Sequence, residues 1–420
     1  MNIKINFLKL LFWIFVLFVS ISSLNSKAAG MAWLALLLCG LGAMFGKRLS
    51  HTGSKGTNET LAKIWLIATV LAFLLKIVPT IYWNDSWGER HAEIRLLLGA
   101  LGTYALCRWD VIREEKVYLM AWAVSFSCGL AMLLMLVSVR EAAPTNPIPW
   151  AAAIALCSAW LVSIGFSHQV SSTSRWVWGI GSLMGLIAVL ISENRGAYGL
   201  ALLLPVVWMR RLSFFRWIRL RDGRSAYLRL SVVVLVILIG GALFSQTAIV
   251  QRPLQRIQVA IDEVKLSHES LEANVNGSIG ARLFLWAHSA SFIEQSPWIG
   301  HGQVARKNAI VEWGKEANSD HIQSLGHVHN EYLHTLMDYG VWGLASLMCY
   351  AMGMFILVLR MRSIESVTQA WAMGGVLFIH MTTGLTNVNF AHNYYPTMLS
   401  IMISLILLTP SIKCNVPRTG

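Results

Sequence analysis

The sequence has 420 residues, of which 55% are hydrophobic and only 13% charged, and its mean hydropathy is +0.56. Apolar surface on that scale exceeds what a water-soluble core of this length can bury, which argues against an ordinary soluble enzyme. A formal net charge of +13 would suit a nucleic-acid binder, but its placement does not: Arg210, Arg211, Arg216, Arg219, Arg221, Arg224 and Arg229 crowd against the single acid Asp222 between two apolar segments, as in a cytoplasmic loop.

Apolar runs near the ~20 residues that an α-helix needs to cross ~30 Å of hydrocarbon recur along the whole chain. In order they fall near 6–24, 29–46, 62–82, 92–107, 117–139, 148–166, 176–192, 196–210, 227–247, 338–358, 367–384 and 394–410. The expected fold is therefore an all-α polytopic membrane protein with about twelve transmembrane helices, since only helices and closed barrels satisfy their backbone in lipid. Lys4 and Lys9, the apolar run to Leu24 and then Ser26-Lys27-Ala28-Ala29-Gly30 resemble a signal peptide. The length of that run and the immediate start of the next span favour an uncleaved first helix.

With the N-terminus inside, one set of loops holds Lys47, Arg48, Lys55 and Lys63, then Arg108, Arg113 and Lys116, then Arg175, the arginine block, Arg360 and Arg362, and the tail with Lys413 and Arg418. The opposite loops carry few positive charges, so the positive-inside rule sets the orientation and supports an even number of spans. Cys39, Cys107, Cys128, Cys157, Cys349 and Cys414 lie in apolar segments or near predicted cytoplasmic ends, without CxxC spacing. No cysteine zinc site is readable.

The chain divides into 1–247 with nine spans, a long polar loop at 248–337, and 338–420 with three spans and a tail. Parity puts the loop in the periplasm, and a connection of this length is expected to carry function or its own structure. Its pattern predicts short amphipathic helices over 253–264, 281–295, 304–317 and 330–339, interrupted by the turn Ser296-Pro297-Trp298-Ile299-Gly300-His301-Gly302.

Where the loop re-enters the membrane stands His329-Asn330, then nine residues, then Gly340-Val341-Trp342-Gly343. A histidine titrating near ~6.5 can take a proton from a hydroxyl at neutral pH. The plainer alternative makes Asn330 an N-cap, Gly340 the residue after a helix end, and His329 an exposed loop residue. His327 and His334 raise a metal site, but their spacing matches no common zinc motif. Ser192-Glu193-Asn194-Arg195-Gly196-Ala197 puts an arginine at the mouth of two membrane helices, either functional or snorkelling beside Glu193. In Gly280-Ala281-Arg282-Leu283-Phe284-Leu285-Trp286, Arg282 and Trp286 share one helix face; Arg282 as a solvated residue and Trp286 as an interfacial anchor is the alternative. Lys76 and Arg95 lie on the same side and suit snorkelling as well as phosphate binding. His380, in the eleventh span, reads as a satisfied core residue. Tryptophans near span ends need only interface anchoring, while Trp286, Trp298 and Trp313 lie in the loop.

The His-Asn element, the arginine-glycine turn and the arginine–tryptophan–proline-glycine series, in this order, resemble the O-antigen ligase and polymerase family. The specific motifs cover about 192–343; elsewhere the likeness is one of hydropathy. The resemblance implies a metal-independent, inverting glycosyltransferase of the cell inner membrane, without cofactor, whose site faces the periplasm. Its donor would be undecaprenyl-diphosphate-linked O-antigen and its acceptor a lipid A-core sugar hydroxyl. His329 would be catalytic. Arg195 and Arg282, with Lys76 and Arg95 as further candidates, would bind the donor diphosphate, a ligand that suits the guanidinium fork. Asn330, Gly340, Gly343 and Trp286 would support the motif. An O-antigen polymerase or a protein O-oligosaccharyltransferase shares these elements. A transporter or flippase is the alternative from another class, disfavoured because the charged candidates gather at one membrane face rather than at the midplane.

Overall fold

The computed structural model describes residues 2–44, 57–109, 114–137, 143–165, 171–211, 248–269 and 274–409, and every regular element among them is helical. We number the helices α1 (Asn2–Ser20), α2 (Ser26–Met44), α3 (Thr57–Tyr82), α4 (His91–Trp109), α5 (Glu114–Val137), α6 (Pro147–Ile164), α7 (Ser172–Ile191), α8 (Gly199–Arg211), α9 (Ala248–Glu269), α10 (Gly280–Gln295), α11 (Gly302–Glu316), α12 (Asp320–Gln323), α13 (Glu331–Ser363), α14 (Val367–Gly384) and α15 (Tyr394–Leu408). Among the described residues six helical segments are long and apolar enough to cross a membrane: Ser26–Met44, Thr57–Tyr82, Lys116–Val137, Pro147–Ile164, Ser172–Ile191 and Glu331–Ser363. The shorter apolar helices Phe7–Ser20, Arg195–Val207 and Tyr394–Leu408 accompany them. The expected ninth span, 227–247, most of the arginine block, Lys47, Arg48, Lys55, Arg113 and the tail from 410 lie outside the described residues.

The bundle is built around α6 and α15, whose residues from Pro149 to Ile164 and from Tyr394 to Leu408 are all buried. A helix that is apolar on every side has no face for water, and the run of Ala151, Ala152, Ala153, Ala155, Ser158 and Ala159 lets neighbouring backbones come close. Helix α6 packs against α7, α8, α14 and α15, while α15 also meets α2 and α4. Helix α13 lies between α3 and α14. Leu74 and Ile81 on α3, Phe126 and Leu133 on α5, and Phe355 and Leu359 on α13 point outward, where lipid rather than water is the natural solvent.

The long loop has its own small core of Val275, Phe284, Leu285, Ile310, Ile322, Val328 and Met337, flanked by Trp286, Phe292 and Trp313. Helices α10 and α11 rest on α13, and α9 bridges α7 and α10. The first three expected loop helices are present, α9 being longer than expected. The fourth is not separate. It runs on into the next span as α13, with one non-helical residue, Gly340, at φ 57° and ψ −149°.

That kink has an identifiable cause. An unbroken helix would bond the Val341 N–H to the Met337 carbonyl. Instead Val341 donates to the Pro297 carbonyl at 2.9 Å, and the Met337 carbonyl accepts from His301 N–H at 2.8 Å. The 296–302 turn thus inserts into the helix ladder and satisfies both freed groups.

Candidate functional site

The 192–197 turn is held from three sides. Ser192 caps α7, Glu193 takes a left-handed φ of 58°, and the Asn194 amide donates to the Pro147 carbonyl at 2.9 Å and to Ser192 Oγ at 3.0 Å. Arg195 opens the short 3-10 turn Arg195–Ala197 that leads into α8. Arg256, a little over two turns into α9, reaches across to Glu193, with both Nε and Nη2 at 2.7 Å from Oε2. Arg195, Arg256 and Arg282 line one cavity with Glu193, Ser278 and Thr386. Two of the expected residues, Arg195 and Arg282, therefore meet, joined by Arg256, which sequence inspection did not single out.

Trp286, one helical turn beyond Arg282, donates its indole N–H to the Val328 carbonyl at 2.8 Å. On the other side of His329, Asn330 caps α13, its side-chain oxygen accepting from Tyr332 N–H at 3.0 Å and Leu333 N–H at 3.1 Å, and its amide donating to the Leu385 carbonyl at 3.3 Å. His329 itself has φ 53°. A non-glycine residue in that region costs on the order of 1–3 kcal/mol and persists where its surroundings over-determine it. Here both neighbours are pinned.

The His329 ring stands 4.4 Å, centroid to centroid, from His327, which in turn lies 6.5 Å from His334 and 6.0 Å from His392. Burial first, then the neighbouring His327 and Arg282 charges, push the His329 imidazole from its ordinary 6.5 down to about 3. Burial and His392 push His327 down to about 4. Both rings are neutral at pH 7. Nδ1 of His327, His329 and His334 and Nε2 of His392 are buried with no hydrogen-bond partner among the described residues. Buried polar atoms rarely stay unpaired in a finished site.

His327 and His334 line a second cavity with Lys76, Arg90, Glu93, Gln303, Arg306, Lys307, Thr335, Asp338 and Tyr339. Lys76 does not snorkel: its ammonium is buried in an ion pair with Glu93. Arg306, also buried, donates from Nε to Asp338 at 2.6 Å and from Nη1 to the Gly326 carbonyl at 2.5 Å, tying α11, α13 and the histidine loop together. His334 Nε2 faces the other Asp338 oxygen at 3.5 Å. Arg90 covers the Tyr339 ring and donates to its hydroxyl, which also accepts from Gln303 at 2.6 Å.

Arg95 lines neither cavity; it donates to Asn393 Oδ1 at 2.6 Å. His380 is a core residue, bonded to Tyr395 Oη at 3.0 Å and stacked on Phe390. Gly340 and Gly300, both at positive φ, interlock, since a Cβ on Gly300 would sit 2.5 Å from Tyr339 N and one on Gly340 2.5 Å from the Trp298 oxygen. Gly343 admits Thr335 and Tyr339, whose side-chain atoms a Cβ would meet at 2.6 Å.

Residues 180–348 match the family model described as O-Antigen ligase. That match supports membership of the O-antigen ligase family. Both arginines of the first cavity's membrane and α10 walls, the histidine pair and the Gly340 kink lie inside the matched segment. No curated protein matches the chain. The family match supports glycosyl transfer of the O-antigen ligase and polymerase type, on polysaccharide or lipid-linked substrates, by a multi-pass membrane protein of lipopolysaccharide biosynthesis.

Arg90, Arg256, Arg306 and Asp338 had no local signature as a site. Glu93 alone offered one, an acid opening an otherwise apolar span.

Proposed function

We propose that the protein is a metal-independent, inverting O-antigen ligase of the inner membrane, with about twelve spans and its long loop in the periplasm. It would transfer glycan from undecaprenyl diphosphate to a sugar hydroxyl of lipid A-core. The observation that carries this reading is the arginine cavity of Arg195, Arg256 and Arg282 together with a neutral, half-buried His329 that feels the Arg282 charge. Guanidinium groups offer only donors, in a fork that fits phosphate oxygens, so three of them against the single Glu193 favour a diphosphate.

In the proposed step His329 accepts the proton of the acceptor hydroxyl as its oxygen attacks the anomeric carbon. The bond from that carbon to the phosphate oxygen breaks, and the electron pair leaves with the diphosphate. Arginine charge fixed in place stabilises the growing negative charge with little reorganisation. The membrane location follows from the substrate, whose polyprenyl tail stays in lipid while its diphosphate reaches the cavity. Lys76 is assigned to the second cavity and Arg95 to packing against Asn393.

Purified His329→Ala with lipid-linked donor and lipid A-core is expected to lose at least about 100-fold in kcat, the usual scale for a missing general base. Unchanged transfer would remove the catalytic reading. In cells, a deletion that abolishes long-chain lipopolysaccharide yet retains lipid-linked polymer identifies a ligase, whereas core bearing a single repeat unit identifies a polymerase.

A further inference from the structure

We infer that the second cavity is a subsite for a neutral, polyhydroxylated sugar, the glycosyl acceptor, an assignment that rests on the transfer reaction proposed above. Two buried side chains of its wall are half-satisfied. Arg90, 3% exposed, has Nε and Nη1 without hydrogen-bond partners among the described residues, and Glu93, 2% exposed, has Oε2 without one. A bare donor and a bare acceptor on one wall complement a group that both donates and accepts, which is what a hydroxyl does. A phosphate, an acceptor at neutral pH, would satisfy Arg90 and be repelled by Glu93.

The fixed charge agrees with that chemistry. The second cavity sets Lys76, Arg90, Arg306 and Lys307 against Glu93, Glu331 and Asp338, with Lys76 paired to Glu93 and Arg306 to Asp338, whereas the first sets three arginines against one glutamate. The first cavity is thus lined mainly by guanidinium donors, while the second mixes donors with carboxylate acceptors. His327 belongs to the second cavity's wall and stands 4.4 Å from the His329 ring. A hydroxyl bound beside His327 is thereby presented to His329.

Lys307→Ala and Thr335→Val test the assignment, because Lys307 is exposed and valine keeps the shape of threonine while deleting its hydroxyl. Steady-state transfer is measured with lipid A-core as varied acceptor, and inorganic pyrophosphate is titrated as competitor of the donor. Each variant is expected to raise the acceptor KM about fivefold, the loss of one hydrogen bond, with the inhibition constant of pyrophosphate unchanged within about twofold. Arg282→Lys should do the reverse. Unaltered acceptor KM in both cavity variants, or a shift confined to pyrophosphate inhibition, overturns the assignment. His329→Ala run alongside keeps the two readings apart, since transfer retained there counts against the catalytic role, while an unmoved KM counts against the subsite alone.

Discussion

His329 gathers three properties in one residue: a strained backbone, a half-buried ring and a proton affinity held far below normal. The last has a sign that can be checked. In the free protein His329 and His327 stay neutral down to about 3 and about 4, so the acid limb of kcat/KM should not fall near pH 6.5. A bound diphosphate favours the imidazolium and raises the pKa, so the acid limb of kcat should lie at higher pH than that of kcat/KM. Coincident limbs near 6.5 in both profiles would contradict this. Stability follows the same logic. Below about 6.5 the unfolded chain binds protons on these histidines while the folded chain does not, so stability falls as pH drops from there toward 4. Between pH 7 and pH 5 the midpoint of thermal unfolding should therefore drop more for the native protein than for His327→Gln.

At the scale of elements, the site depends on two joints. One is the interlock of the 296–302 turn with the α13 kink, in which Gly340 adopts dihedral angles that L side chains avoid and a Cβ would strike the Trp298 backbone. Gly340→Ala should cost about 3 kcal/mol or more, read as a lowered unfolding midpoint; a near-neutral result would mean the turn is not wedged as described. The other joint is Trp286, whose indole N–H holds the carbonyl next to His329. Trp286→Phe keeps most of the packing and removes that bond. It should lower kcat about tenfold with the donor KM nearly unchanged, as expected for a group that only positions another.

For the whole molecule, the proposed reaction requires the loop and both cavities on the outer side of the membrane. Lys265, exposed on α9, is a suitable reporter. A cysteine placed there should react with a membrane-impermeant maleimide in intact spheroplasts, and labelling only after lysis would refute the orientation. Part of the geometry was legible from order along the chain: Asn330 caps α13, Arg195 and Arg282 line one cavity, and Gly340 stands at the α13 kink. Lys76 and Arg95 were singled out as equals, yet only Lys76 reaches a cavity, because Glu93 on the adjacent helix draws its ammonium inward while Asn393 engages Arg95 elsewhere.

Hydropathy and local spacing, by themselves, determined that this is a helical membrane protein with a structured polar insertion, and they located its motif residues. Those properties depend on neighbours within a few turns, which the chain order contains. Only the tertiary structure decided that Arg256 joins Arg195 and Arg282 in one cavity, that Arg306 locks Asp338 to the histidine loop, and that His327 and His334 line a second cavity. Ion pairs and buried hydrogen bonds between residues tens of positions apart leave no periodic trace in a sequence, because packing of the helices, rather than the chain, brings them within reach.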